Sequence, residues 1–285
     1  MLKIRRQGLI RGSNTRLGIA LLFLACAGLS AMAHADTRSV EGFDVDRVVL
    51  RGSDELKITF GGANRLLVKG DTDDLDRQPF YVRGSTLKLG YTESGRKVRN
   101  VKYLLEVDDL DQIVLQGSGD IWVDPIDTEK LSVSVDGSGV IRLHSVRAND
   151  LEVSVAGSGT IQLASSDVED IDVELAGSGD IDLGRITARR MNVDMAGSGD
   201  IVGTRESEDG MVEVLDIGVA GSGDIDLSSL PAVSVDVDIL GSGDVSVWAV
   251  DFLDANILGS GDVHYRGDPK VDRSTLGSGD VTPID

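Results

Sequence analysis

The chain has 285 residues and a formal net charge of -20, from 28 Lys and Arg against 48 Asp and Glu. Five basic residues and no acid fall in 1–35 (Lys3, Arg5, Arg6, Arg11, Arg16), which leaves 36–285 at -25. That balance argues against a nucleic-acid binder, which needs a basic footprint, and against electrostatic docking on an anionic membrane. The single Cys is Cys26, so residues 36–285 can form no disulfide and no Cys-ligated zinc site. Only His144 and His264 remain there for imidazole chemistry.

In chain order, a basic stretch over 1–16 precedes an apolar run from Leu17 to Ser30 and the small-x-small pattern Ala33-His34-Ala35. The expectation is a signal peptide over 1–35, cut before Asp36, with the rest exported to a periplasm, the cell surface or the medium. The apolar run is shorter than the ~20 residues of a membrane span, and no later segment approaches one.

Residues 40–116 read as degenerate coils: Val48, Leu50, Leu56, Ile58 and Phe60 alternate, as do Leu87 and Leu89, then Val101, Tyr103 and Leu105. A regular repeat then begins. Gly-Ser-Gly starts at 117, 137, 157, 177, 197, 221, 241, 259 and 277, at intervals of 20, 20, 20, 20, 24, 20, 18 and 18 residues. Two residues after each copy stands Ile121, Ile141, Ile161, Ile181, Ile201, Ile225, Val245, Val263 or Val281, all β-branched. Apolar residues also dominate the positions four after, two before and four before the motif, with Arg273 and Thr275 among the exceptions. The residues between are mostly polar or small. The period is two, so these are strands with one face turned in.

A repeat of about 20 residues holding two short strands and a turn is one coil of a β-solenoid. The expected fold is all-β: a single-stranded parallel β-helix, right-handed by the crossover preference, forming one elongated domain over 36–285 with regular repeats from 117 to 285. A β-sandwich explains the columns poorly, because hairpins would reverse the motif on alternate strands.

Asp follows the motif in seven copies: Asp120, Asp180, Asp200, Asp224, Asp244, Asp262 and Asp280. A second acidic column comprises Asp172, Asp216, Asp236, Asp254 and Asp272, with Asn192 among them. Unit charges stacked ~4.8 Å apart repel by about 1 kcal/mol in bulk water and by more near a protein surface. Cations could sit against Asp180, Asp200, Asp224, Asp244, Asp262 and Asp280, which makes them candidate weak Ca2+ ligands. Alternatively the carboxylates fan apart, or each accepts a backbone N–H at the bend. The nine motif serines lack a His at fixed spacing and read as structural hydroxyls. Gly-Ser-Gly-Asp is no phosphate-binding loop, since no Lys and no helix follow.

Trp122, Trp248 and His264 fall on outward parity, where aromatic rings can stack on sugars. Lys97, Arg99 and Lys102 form the densest basic run, too sparse for the proton-abstracting cluster of a polysaccharide lyase. Nothing singles out a glycosidase carboxylate pair. The 24-residue interval places an insertion at Thr204–Gly210, and solenoid insertions map to loops.

Three features together resemble the family described as putative auto-transporter adhesin, head GIN domain. They are the leader, the segment from Phe43, Val49 and Leu50 to Leu66-Leu67-Val68-Lys69-Gly70-Asp71, and the repeated Gly-Ser-Gly-Asp-[Ile/Val]. The resemblance implies an exported bacterial β-helix with an adhesive or envelope-surface role and brings no catalytic residues with it. The chain stops at Asp285 within a repeat, so a membrane barrel for self-translocation is not expected. The resulting expectation is a non-enzymatic module offering an acidic face to a glycan, an envelope protein or cations. The alternatives are a polysaccharide-acting enzyme and a structural module that stacks end to end.

Overall fold

The computed structural model describes residues 21–22, 36–62, 64–205 and 210–284. The leader over 1–35 thus lies outside the described residues, apart from Leu21–Leu22, which pairs antiparallel with Ser39 and Val40. So does Glu206-Ser207-Glu208-Asp209 of the insertion.

Coils of about 20 residues stack in parallel into a β-solenoid of about eight turns, with 71% of residues in strands. This is the fold class expected from the repeat. The β-branched columns explain it: each coil has an apolar inner side that only its neighbours can cover. In one such column Val133, Val153, Val173, Val193, Ile217, Val237 and Ala255 lie in register. All are buried and belong to one core that runs from Val40 to Val281.

Three sides form the regular coils up to the last. One strand runs up to the motif, as in Arg190–Gly197, and a second leaves it, as in Asp120–Val123. A third, shorter ladder lies between them: Ile126–Asp127 pairs with Val146 and Arg147, which pair with Ser166 and Asp167.

Glycine fixes the corner in two ways. The first glycine of every copy has φ between 121° and 154°, a region closed to side chains. The second is buried, and a Cβ on Gly199 would overlap the carbonyl oxygen of Gly179 beneath it. The serine between them donates its N–H to the first glycine's carbonyl one coil back, at 2.8 Å for Ser198 to Gly177. Pairing therefore continues around the bend.

The N-terminal coils stack out of chain order. Arg47–Gly52 pairs on one side with Gln112–Gly117 and on the other with Thr86–Leu89. Glu55–Phe60 likewise lies between Asp120–Val123 and Lys102–Val107. An antiparallel cap closes this end: Arg65–Gly70 pairs with Lys102–Val107, and Asp36–Glu41 pairs with Arg65–Gly70. A five-residue helix, Thr72–Asp76, buries Leu75 there. At the other end Arg273 and Thr275 hold inward columns of the strand Lys270–Gly277 and are exposed. An inward charge on an edge strand discourages further pairing.

Candidate binding face

The strands leading to the motif carry four outward columns, two residues apart. Between Val212 and Gly277 these columns segregate by chemistry. The column next to the motif runs Ala196, Ala220, Leu240, Leu258, Leu276. Its leucines are 57%, 49% and 73% exposed. The next runs Asp194, Gly218, Asp238, Asn256, Ser274, and the third Asn192, Asp216, Asp236, Asp254, Asp272. The fourth runs Arg190, Val214, Ser234, Phe252, Lys270, with Val214 and Phe252 exposed. The face is thus acidic along its middle, apolar at the margin beside the motif and mixed at the other.

A groove of about 580 Å³ follows the second column between the leucines and the acids, with Gly218 in its floor. A Cβ at Gly218 would press on Asp194 Oδ1. The amides of Asn192 and Asn256 donate to Asp194 at 3.2 Å and Asp254 at 3.4 Å, which relieves the acids locally. Asp236 meets the backbone N–H of Val237 instead. Partial burial raises its carboxyl above the usual range, and Asp238, Asp254 and Asp216 add to the rise.

The sequence's six candidate metal ligands lie on a different side. Asp180 Oδ1 accepts the N–H of Asp200 at 3.3 Å. Asp224 serves Asp244 at 3.1 Å, Asp244 serves Asp262 at 2.9 Å, and Asp262 serves Asp280 at 2.8 Å. The structure stacks these carboxylates but spreads them along the axis. Among the described residues no three His, Cys, Asp or Glu side chains gather as a metal site.

Nor do the outward aromatic residues converge. Trp122 lies under the Arg142 guanidinium, 5.6 Å from ring centre to carbon, and Arg142 also pairs with Asp120 at 3.2 Å. Trp248, several coils away, meets Arg205 at 5.5 Å. His264 Nδ1 is 2.9 Å from Thr282 Oγ1. Lys102 of the basic run pairs with Glu55 at 2.6 Å.

One buried acid was hidden in the sequence. Gly52-Ser53-Asp54-Glu55 is a further corner in register with Gly117-Ser118-Gly119-Asp120, with Asp54 in the second-glycine slot. Asp54 is 3% exposed, and its Oδ1 accepts the N–H of Val101 at 3.1 Å while Oδ2 has no partner. Burial raises its carboxyl above the usual range, although the N–H groups of Val101 and Asn100 pull the other way. Its neighbour Tyr103 donates to the Pro79 carbonyl at 3.0 Å.

Comparison with known proteins gives the family. The family model described as "Putative auto-transporter adhesin, head GIN domain" matches residues 44–208 and 202–269. The chain belongs to that family. Among solved structures, this head GIN domain chain is similar to one described as a putative lipid binding protein from Parabacteroides distasonis. The two are 26% identical, with a TM-score of 0.63 over 88% of this chain and 97% of that one. It shares its fold with two described as putative adhesins. One, from Parabacteroides merdae, has 15% identity and a TM-score of 0.64 over 88% and 96% of the two chains. The other, from Parabacteroides distasonis, has 19% identity and a TM-score of 0.64 over 88% and 98%. No curated protein matches the chain. An adhesin-like head GIN domain goes with an exported or surface protein. Among the described residues no helix is long and apolar enough to cross a membrane.

Proposed function

We propose that the chain is a non-enzymatic binding module of the cell envelope or surface. It meets its partner through the outward face of residues 212–277. The observation that carries this is the row Leu240, Leu258 and Leu276, exposed beside acidic columns over a continuous groove. Large exposed apolar side chains in a contiguous row mark an interaction surface.

The aspartates after the motif serve the turn in this reading. The carboxylates of Asp180, Asp224, Asp244 and Asp262 each accept a backbone N–H from the next coil, which supports the turn role. The carboxyls displaced from the usual range have structural neighbours: Val101 for Asp54, Arg190 for Asp170, and the acidic column for Asp236. None of them is poised as a catalytic pair.

A lipid ligand is a second reading. The leucine row and the name given to the Parabacteroides distasonis relative favour it, whereas the acidic columns disfavour anionic headgroups.

The test is co-sedimentation of purified 36–285 with isolated bacterial envelopes. Saturable binding that falls at least tenfold in a Leu240→Ser, Leu258→Ser variant is expected. Equal binding by the variant, or none by the wild type, would remove this face from the function.

A further inference from the structure

We propose that the groove receives a cationic amphipathic helix from a protein partner, lying along the solenoid axis. The inference rests on reading this face as the binding surface and names the chemistry of its occupant.

Spacing is the first argument. The leucine column and the Asp236–Asp254 column are four residues apart along the strands, roughly 13 Å. An α-helix with its side chains is about 10–12 Å across, so one lying over the middle column, whose Gly218, Asn256 and Ser274 are short, reaches both. Along the axis the coils repeat every ~4.8 Å, against a helical pitch of about 5.4 Å. Side chains one turn apart therefore keep step with successive coils for several turns. An extended strand repeats its side chains every ~6.8 Å and loses step after one coil.

Charge is the second argument. Asp194 and Asp238 line the groove opposite the leucines, and Asp216, Asp236, Asp254 and Asp272 form the next column outward from it. The opposite wall is leucine. A helix with Lys or Arg on one flank and apolar residues on the other complements both walls, and the segregation of chemistry across the face selects that orientation. The repulsion that Asp238, Asp254 and Asp216 add at Asp236 is relieved when cations arrive.

A second copy of the chain fits poorly. Its matching face carries the same acids, and Arg147, Arg189 and Arg190 already pair with Asp127, Asp167, Asp170 and Glu213. At one end the antiparallel cap covers the sheet edge on which another solenoid would stack.

The test uses fluorescence anisotropy with 36–285 and a labelled four-turn peptide. The peptide carries Leu at i, i+4, i+7 and i+11 and Lys on the adjoining flank. A control peptide replaces each Lys with Glu. The expected result is saturable binding of the Lys peptide at least tenfold tighter than the Glu peptide, with helicity gained on binding. Asp236→Asn with Asp254→Asn should weaken it about tenfold and flatten its salt dependence, and Leu240→Ser with Leu258→Ser should abolish it. All four positions are exposed, and thermal melting confirms that the variants fold. Equal binding of both peptides, no saturable binding, or insensitivity to both double variants overturns the proposal. If the peptide fails while envelope binding still depends on the leucines, the face stands with another occupant. Loss of both dependences overturns both readings. Binding to phosphatidylcholine vesicles in place of the peptide assigns the face to lipid.

Discussion

The Asp244 carboxylate accepts the backbone N–H of Asp262, one coil further on, at 2.9 Å. The same bond joins Asp224 to Asp244 and Asp262 to Asp280. A column of like charges is thus stitched by fixed backbone donors, each bond opposing the repulsion of its step. Asp244→Asn keeps an acceptor oxygen and removes a charge, so its stability should stay within about 0.5 kcal/mol of wild type. Asp244→Ala removes the acceptor and should cost about 1 kcal/mol. Urea unfolding of both variants checks the order. In the same assay millimolar calcium should leave the midpoint unchanged, because a ligand that binds only the folded state must raise it.

The corner distinguishes space from chemistry. Gly199→Ala places a methyl group on the Gly179 carbonyl in a buried position. Its cost should reach about 3 kcal/mol, at the upper end for overpacking, since backbone must move. The adjacent Ser198 is exposed, and Ser198→Ala should stay within about 0.5 kcal/mol. Thermal melting of the pair tests this. A damaging Ser198→Ala would give the hydroxyl a role that the corner does not require.

Asp54 gives a pH signature of definite sign. Its folded-state carboxyl binds a proton more readily than the unfolded one. The ionisation penalty is therefore absent in acid, grows as pH rises through the unfolded and then the folded value, and is complete at neutral pH. Asp54→Asn keeps an acceptor for the Val101 N–H and abolishes the penalty. It should be more stable than wild type at neutral pH, with the difference shrinking in acid. A gain that is flat with pH would mean that the carboxyl is not the source.

Two surface acids should move in opposite directions. The Asp170 carboxyl is lowered by its hydrogen bonds to Arg190, at 2.6 and 2.9 Å, so it stabilises above the unfolded value and that contribution is lost as pH falls. Asp236 is raised, so its ionised form opposes folding at neutral pH. Asp170→Asn should lower the melting temperature at neutral pH and Asp236→Asn should raise it, both effects fading in acid and the Asp170 effect fading in high salt as well. Melting curves across pH and ionic strength check the signs.

The regular coils were legible because each column repeats one demand nine times. β-Branched residues after the motif set the strand, and glycine marks where no Cβ fits. Asp54 shows why the N-terminal coil was harder to read. Its corner meets the Asn100–Val101 backbone in place of another glycine, so the pattern lapses where the neighbour changes. The non-sequential neighbours of Arg47–Gly52 leave no periodic trace, since alternation tells which residues point inward but not which strand lies beside them. The third ladder is only two or three residues long, too short for a period. The leucine row did have a signal: parity places Leu240, Leu258 and Leu276 outward, in a column that holds Gln116 and Asp136 in earlier coils. The acidic columns were visible, but the backbone donor that meets the Asp244 carboxylate belongs to the corner's geometry and has no mark in side-chain order.

Residues 47–60 lie between two layers that come later in the chain. Synthesised from its N-terminus, the chain makes an interior layer first and leaves both its edges open. That layer is a seed with two growing fronts, one completed by 86–107 and the other by 112–123. Growth on the first front ends at the cap, and only the second continues through the repeats. A folding order that follows synthesis starts inside the stack, and removing C-terminal coils one by one leaves that layer's two neighbours in place. Deleting 36–110 removes it and forces the remaining repeats to begin without a template.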